Sequence, residues 1–284
     1  MTPERLRLGE VDIHVLRDGF LSVDRKAMFG RGPGTARSPR LSGETDDKVF
    51  ISLNVFLIET EGRLILVDTG VGGSLPERLA RSYGFRQDPG LSVALERLGY
   101  GAGDIDFVVN THLHFDHCGG NTRKAGPGRF VPAFPRAIYI IQEGEWRTAQ
   151  SPPRGERPNY RPETFEPIRE AERLRRVDGD ATVCPGIEVI LSPGHTRYHQ
   201  CVKVTSKGRV FVILGDLVPT AAHVRSSAAS SYDLDPAETL SGRTKIFDQG
   251  LADSWTYGFV HDSINAFGSV AKRGRGYVFR PRNG

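Results

Sequence analysis

Cysteine is scarce in this sequence, and long apolar runs are missing. The 284 residues include three cysteines, Cys118, Cys184 and Cys201, and none of them forms a Cys-x-x-Cys pair. This pattern favours neither a disulfide framework nor a structural zinc knuckle, and reduced thiols are typical of the cytoplasm. No stretch approaches 18 apolar residues, and the charged N-terminus lacks the apolar core of a signal peptide. We therefore expect a cytoplasmic protein that does not span a membrane.

The body of the chain has almost no excess charge of either sign. The formal net charge is +4, but the last 13 residues (272–284) carry five basic residues and no acidic one. Removing that +5 leaves −1 for the other 271 residues. A near-neutral body argues against a nucleic-acid partner and against a charged membrane partner. We interpret the basic tail as a solvated terminus.

Apolar runs alternate with helix signals along the chain, which predicts an α/β layered fold in one domain, residues 1–284. Helix starts are indicated by a capping box at 74–77 and by Asp-Pro pairs at 88–89 and 235–236. The segment 30–48 is rich in Gly, Pro, Arg and Ser, and we expect a long loop that could cover a pocket or dock a partner. The apolar runs predict buried strands at 63–67, 105–110, 137–141, 187–191, 209–214 and 255–260.

The most informative segment is Thr111–Asn121, which follows the apolar strand FVVN. Three histidines and an aspartate fall within six of its residues, at His112, His114, Asp116 and His117. Imidazole and carboxylate together suit zinc, and also manganese, iron or cobalt. A strand-to-helix turn can aim these four side chains at a common centre, and Gly119 and Gly120 allow close backbone packing there. The segment therefore predicts metal binding.

Matching side chains follow other apolar strands. His195, Asp216 and His261 each come at the carboxyl end of such a strand. In open α/β sheets that edge is where sites assemble. Asp68 ends a further strand, and we expect its carboxylate to orient a ligand histidine without binding the metal.

In these motifs the sequence resembles the metallo-β-lactamase fold superfamily over about residues 50–265. The resemblance implies an αβ/βα sandwich of two mixed sheets flanked by helices. His112, His114 and His195 would hold one divalent metal ion, and Asp116, His117 and His261 a second. Asp216 would bridge the two ions, which are expected to be zinc, with manganese, cobalt or iron as alternatives.

Within the superfamily, the segments THLHFDHCGGN, PGHT and GDLVPTAAH most resemble the lactonase and organophosphate-hydrolase branch. The resemblance implies hydrolysis of a small lactone, carboxylic ester or phosphotriester. A hydroxide shared by two metal ions would attack the electrophile, and Asp216 would hold the two metal ions together. Asp116 could carry the proton to the leaving group.

The sequence departs from the acyl-homoserine lactonases at one position. Those enzymes typically place a tyrosine three residues after the bridging aspartate, where this chain has Pro219. A dedicated quorum-signal lactonase is therefore in doubt. Organophosphate hydrolases use aromatic pocket walls, which Phe29, Phe115 and Trp146 could supply. Pro219 and His223 could also face the pocket.

Three other functions remain open at this stage. A thioesterase of the glyoxalase II type shares the histidine motif but needs a site for glutathione, which we do not identify. A di-iron redox protein usually carries Glu at the position of His114. A nuclease gains only slight support from the basic tail. Dimers are common among such proteins, so a homodimer is also open.

Overall fold

Two mixed β-sheets organise the chain. Within the residues that the computed structural model describes, 4–30, 47–73, 75–225 and 229–281, seventeen strands form. They are β1 (Glu4–Leu8), β2 (Val11–Asp24), β3 (Lys48–Thr60), β4 (Arg63–Val67), β5 (Arg86–Gln87), β6 (Phe107–Val109), β7 (Thr122–Lys124), β8 (Phe130–Pro132), β9 (Ile138–Gln142), β10 (Leu174–Val177), β11 (Ala181–Cys184), β12 (Ile187–Leu191), β13 (Gln200–Ser206), β14 (Arg209–Ile213), β15 (Thr256–Gly258), β16 (Phe267–Arg273) and β17 (Gly276–Pro281).

Seven α-helices lie between the strands of the described chain. They are α1 (Arg25–Phe29), α2 (Glu77–Ser82), α3 (Leu91–Glu96), α4 (Phe115–Cys118), α5 (Glu143–Gln150), α6 (Glu166–Glu170) and α7 (Pro236–Ala252). Single turns of 3₁₀ helix occur at Ala102–Asp104, Gly119–Asn121, Pro162–Thr164, Gly215–Leu217 and Ala221–Val224. No helix in these ranges is both long enough and apolar enough to cross a membrane.

The first sheet runs in the order β1-β2-β3-β4-β6-β9-β10, with β5 paired to β2. Strands β4, β6, β9 and β10 are parallel neighbours, whereas β1 to β4 are antiparallel. The second sheet runs β11-β12-β13-β14-β15-β16-β17, and only its β14–β15 pair is parallel. Both sheets are mixed, as the sequence predicts.

Four apolar clusters pack the described elements, and three of them form the layers of the fold, while the fourth lies beside the cavity described below. One lies between the sheets and includes Phe56 and Phe211. A second packs α3, α5 and α6 against the outer face of the first sheet, with Trp146 at its centre. A third packs α7 against the second sheet through Phe247. This order of helix, sheet, sheet and helix confirms the predicted αβ/βα sandwich.

The helix starts agree with the sequence in one case of three. Asp235 caps α7 by accepting a hydrogen bond from Glu238 N at 3.0 Å. The other two predictions were wrong in position: α3 follows Gly90 instead of Asp88, and α2 follows Pro76, with no side-chain cap. Ser74 of the expected capping box lies outside the described residues.

The interpretation of the basic C-terminal segment also needs correction. The basic residues of 272–281 are exposed, as expected, but they belong to the hairpin of β16 and β17 at the edge of the second sheet instead of an irregular tail. Tyr277 and Phe279 pack against the third apolar layer, which holds this hairpin in place. Residues 282–284, and residues 31–46 of the expected long loop, lie outside the described part of the chain.

Candidate metal centre

The histidine-rich turn connects β6 to α4 at the carboxyl edge of the first sheet. Two backbone features mark the place where this turn packs against the end of β4. Asp68 adopts a left-handed backbone conformation, with φ of 60°, which is uncommon for a residue with a side chain and often marks a functional site. Gly120 approaches the neighbouring strand end so closely that a Cβ atom would lie 2.3 Å from the carbonyl oxygen of Thr69. The glycine pair therefore permits the close packing that the sequence predicts.

The seven predicted ligand side chains come together at this turn. Nitrogen atoms of His112, His114 and His195 lie within 4.8 Å of one another, and so do ligand atoms of Asp116, His117 and His261. The carboxylate of Asp216 lies between the two groups. Its Oδ2 is 3.2 Å from Nε2 of His195, and its Oδ1 is 3.1 Å from Nε2 of His261. Each oxygen of Asp216 thus faces a different group.

Hydrogen bonds on the outer side of the rings fix their tautomers. Nδ1 of His117 donates to Asp68 at 2.9 Å, and Nδ1 of His261 donates to the carbonyl oxygen of Ser52 at 2.8 Å. Nδ1 of His195 lies 3.2 Å from the carboxylate of Asp233. All three partners are acceptors, so Nδ1 carries a hydrogen and Nε2 is the nitrogen that faces the centre.

His112 is oriented in the same way through Thr111. The Thr111 hydroxyl has one hydrogen, which it donates to the Asp68 carboxylate at 2.9 Å. Its oxygen therefore accepts from Nδ1 of His112, which lies 3.1 Å away. Nε2 of His112 is buried and has no hydrogen-bond partner in the described chain. The fifth ring, His114, turns Nε2 toward Glu156 at 3.5 Å and Nδ1 toward the other imidazoles.

Inward nitrogen atoms of neighbouring rings face one another as a result. Nε2 of His117 lies 3.2 Å from Nε2 of His261, and Nδ1 of His114 lies 3.2 Å from Nε2 of His195. Two bare lone pairs at this distance would repel each other, so each contact calls for a cation between the nitrogens, either a proton or a metal ion. Two nitrogens bound tetrahedrally to one zinc ion, at about 2.0–2.1 Å each, would be separated by about 3.3 Å. The donor set and its spacing therefore fit divalent cations.

Burial and charge act on the same groups. Burial lowers the pKa of the His112 imidazole well below its ordinary value, and the neighbouring imidazoles His117, His114 and His195 lower it further, which favours the neutral, metal-binding form. Burial by itself raises the pKa of Asp216, but the surrounding histidines outweigh it and the pKa lies well below its ordinary value. The centre therefore offers a carboxylate and a neutral imidazole.

A cavity of about 690 Å³ opens onto these ligands. It is lined by His114, Asp116, His195, Asp216 and His261 at its base. Apolar side chains line part of the remaining wall, among them Leu21, Val23, Met28, Ile51, Phe115 and Leu234. The phenol rings of Tyr83 and Tyr232 also face it. The cavity is large enough for a small organic molecule.

Five side chains were expected to face a substrate. Phe115 lines this cavity, whereas Phe29, Trp146, Pro219 and His223 do not. Trp146 lies in the apolar layer beneath the first sheet, where its ring meets Phe165. Phe29 is buried and stacks on His223, with ring centroids 4.9 Å apart. Pro219 contributes its carbonyl oxygen, which accepts a hydrogen bond from His261 N at 2.9 Å. These four positions are structural, which corrects the expectation that they form pocket walls.

His223 is a satisfied core histidine. Its Nδ1 lies 2.8 Å from the Thr220 hydroxyl, and its Nε2 lies 2.9 Å from the carbonyl oxygen of Met28. Burial, and secondarily the charge of Arg243, lowers the pKa of His223 to about 4. The imidazole is therefore neutral at pH 7.

Several residues around the centre were missed by sequence reasoning. Asp233 orients His195, and Nε2 of His199 accepts a hydrogen bond from Asp216 N at 3.0 Å. Glu145 joins the turns that carry His114 and His195. None of them lies in the histidine-rich segment or directly after a predicted strand. Only the topology brings them to the site.

Comparison with known proteins gives an independent result. The family model of the metallo-beta-lactamase superfamily matches residues 50–256. An N-acyl homoserine lactonase from Bacillus cereus is 30% identical over 170 residues, which cover 56% of this chain and 60% of that protein. The chain thus spans about 60% of the length of the curated relatives it matches first.

Solved structures resemble nearly the whole chain. A probable metal-dependent hydrolase from Staphylococcus aureus has a TM-score of 0.86 and 25% identity, covering 97% of this chain and 99% of that one. AidC, a dizinc quorum-quenching lactonase solved with a product, has a TM-score of 0.80 and 20% identity, covering 99% and 97%. The second likeness concerns the fold alone.

Proposed function

Because this chain belongs to the metallo-beta-lactamase superfamily, whose family model matches residues 50–256, we propose that it is a hydrolase with two divalent metal ions. Its substrate would be a small lactone, carboxylic ester or phosphotriester. The similarity to N-acyl homoserine lactonases over part of their length supports the lactone among these. The observation that carries this proposal is the meeting of five imidazoles, each with one nitrogen turned inward, around the carboxylate of Asp216.

The two groups of ligand atoms suggest how the ions would be held. His112, His114 and His195 would bind the first ion, and Asp116, His117 and His261 the second. Asp216 would contact both, because each of its oxygens faces one group. Three imidazoles in the first group favour zinc, with manganese, cobalt or iron as alternatives. When bound, such ions lower the pKa of water toward ~7 and polarise a carbonyl or phosphoryl oxygen.

Asp116 is the side chain best placed to move a proton. Its carboxylate lines the cavity, and Oδ2 lies 3.7 Å from Nε2 of both His117 and His261. A carboxylate in this position can take a proton from the attacking water and give it to the leaving oxygen. For a lactone, that oxygen belongs to the ring, and the product is a hydroxy acid.

The apolar wall of the cavity supports a substrate with an apolar portion. Leu21, Val23 and Ile51 would contact that portion, while Phe115 stands beside the ligand Asp116. The ring of Phe115 packs on Tyr83, with centroids 4.9 Å apart, which gives the cavity a rigid aromatic side. Such a wall binds by burial of apolar area and places the ester group at the cavity base.

A hydrolysis panel tests the proposal. The protein is loaded separately with zinc, manganese or cobalt and assayed on lactones, aryl esters and paraoxon-like triesters, beside an Asp216→Ala variant. We expect activity on at least one class and its loss in the variant. Full activity of the chelator-treated protein would overturn the proposal. A glutathione thioester as an additional substrate tests the glyoxalase II alternative, and a visible absorption spectrum tests the di-iron alternative, since zinc is colourless.

A further inference from the structure

A buried carboxylate outside the metal ligands connects the segments that carry the first group of histidines. Glu145 lies in α5 and is 1% exposed. Its Oε1 accepts hydrogen bonds from Leu113 N and from the Tyr160 hydroxyl, both at 3.0 Å. Its Oε2 accepts from the Thr196 hydroxyl at 2.8 Å. One side chain thus joins three separate loops to a helix.

Each of the three donors adjoins a residue proposed to bind the first metal ion. Leu113 stands between His112 and His114 in the chain, and Thr196 follows His195. Tyr160 meets the ring of His114 edge-on, with centroids 5.0 Å apart. Glu145 therefore holds the backbone of one ligand turn, a side chain of the other, and the phenol that packs edge-on against the His114 ring.

The second group of histidines is held by different partners. Nδ1 of His117 is bound by Asp68, and Nδ1 of His261 by the carbonyl oxygen of Ser52. Neither contact involves α5. A change at Glu145 should therefore act on the first group and leave the second group in place.

From these contacts we infer that Glu145 is a positioning residue for the first metal ion, an inference that rests on the proposed function. Its three hydrogen bonds come from neutral donors, and a buried carboxylate so arranged costs free energy that hydrogen bonds only partly offset. That cost is consistent with a role in fixing ligand geometry. Outer partners of metal-binding histidines typically change metal affinity by ~10–100-fold when removed. Glu145 extends this effect from the rings to the turns that carry them.

Two substitutions separate geometry from charge. Glu145→Gln keeps all three hydrogen bonds, because its oxygen can accept from Leu113 and Tyr160 while its amide donates to the Thr196 hydroxyl. Glu145→Leu keeps the volume and removes all three bonds. Tyr160→Phe removes one bond only, so it tests the inference even if the leucine variant fails to fold. Glu143→Gln is the matched control, since Glu143 lies in the same helix and binds Arg147 and Arg176 at the surface.

The affinity of each site is measured by titrating the metal-free protein with Co²⁺ and following its visible absorption. In a His261→Ala background the remaining binding reports the first site, and in a His195→Ala background it reports the second. We expect Glu145→Leu to weaken Co²⁺ binding ~10–100-fold in the first background and less than threefold in the second. Tyr160→Phe should give a smaller loss with the same selectivity, and Glu145→Gln and Glu143→Gln should stay within about threefold.

Unchanged first-site affinity in both Glu145→Leu and Tyr160→Phe would overturn the inference, as would equal losses at both sites. These outcomes differ from failure of the proposed function. In that case the unmodified protein would bind no pair of Co²⁺ ions at all, or would bind them and hydrolyse none of the panel substrates.

Discussion

Nε2 of His117 and Nε2 of His261 lie 3.2 Å apart, although each ring has used its Nδ1 hydrogen on another partner. Burial lowers the pKa of His117, but the carboxylates of Asp216, Asp116 and Asp68 outweigh it and raise the pKa well above its ordinary value, so a proton can lie between the two nitrogens when no metal ion does. The fold restrains both rings at this distance in either case. The contacts with Asp68 and Ser52 supply the restraint. A shared cation turns the same geometry into a favourable one, which links the stability of this region to metal binding.

Metal removal should therefore lower the stability of the protein. We expect chelation to reduce the melting temperature of the zinc-loaded protein by several degrees, because ligand binding to the folded state stabilises it by mass action. The measurement is thermal unfolding with and without chelator. Added zinc should restore the original value. An identical melting temperature in both conditions would contradict the link between metal and stability.

The contact between Asp233 and His195 gives a second prediction. Asp233→Ala removes the acceptor for Nδ1 of His195, so the ring loses its fixed tautomer and orientation. We expect ~10–100-fold weaker binding of the first metal ion, measured by competition with a chromophoric chelator. The matched control is Asp235→Ala, which removes the N-cap of α7 two residues away. That control should lose about 1 kcal/mol of unfolding free energy and keep its metal affinity. Equal metal affinities in the two variants would refute the role of Asp233.

The free energy of unfolding should decrease as the pH falls, because the buried imidazole of His223 resists protonation. Its pKa in the folded protein is about 4, below the ordinary 6.5, so the unfolded chain binds more protons between these values. The free energy of unfolding contributed by His223 is therefore complete above pH 6.5 and is lost as pH falls toward 4, on the order of 2–3 kcal/mol. In His223→Gln this contribution is absent.

Urea unfolding of the metal-free proteins at pH 7 and pH 4.5 measures the effect. The unmodified protein should lose more unfolding free energy over this interval than His223→Gln, by roughly 2 kcal/mol. The control is His14→Gln, at a histidine of β2 that does not line the cavity. Equal pH dependence in the unmodified protein and His223→Gln would show that the His223 imidazole does not stay neutral in the fold.

The carboxylate of Glu156 should make the enzyme prefer neutral over anionic substrates. It lines the cavity, and its carboxylate lies 3.5 Å from Nε2 of His114. The adjacent His114 imidazole lowers the pKa of Glu156 below its ordinary value and outweighs the opposing effect of burial, so the group is charged at pH 7. A negative charge there repels an anionic substrate. We expect Glu156→Gln to raise kcat/KM for an ester that carries a free carboxylate and to change the neutral analogue less.

Paired aryl esters that differ only in a terminal carboxylate provide the assay. The expected gain is about 5–10-fold for the anionic ester, in line with one removed charge near the protein surface. Glu170→Gln, at an exposed position in α6, is the control and should leave the ratio unchanged. Equal effects of Glu156→Gln on both esters would rule out charge selection by this residue.

The fold and the inner ligands were accessible from the sequence, because both depend on local patterns. The strands Arg63–Val67 and Ile187–Leu191 are each apolar at four of five positions, and the structure gives them the predicted bounds. The ligands from His112 to His117 share one turn, and His195, Asp216 and His261 follow strands that end at one edge. Parallel strand ends therefore explain why their meeting could be anticipated.

The residues that orient the ligands from outside, and the residues of the cavity wall, could not be predicted from local sequence patterns. Glu145 and Asp233 reach the site from α5 and from the segment before α7, and no local pattern marks either carboxylate as buried. Trp146 looked like a pocket wall because large aromatic residues serve both pockets and cores, and the register of α5 turns it into the core. The hairpin of β16 and β17 was not predicted, because the many basic residues of this segment suggested a solvated terminus although Tyr277 and Phe279 are available to pack.

Metal stoichiometry tests the central claim most directly. The purified protein is stripped with chelator, dialysed against zinc, manganese or cobalt, and analysed for bound metal by plasma mass spectrometry. The two ligand groups around Asp216 predict two ions per chain, and about one ion per chain in His195→Ala and in His261→Ala. A chain that retains no metal under any of these conditions would contradict the account.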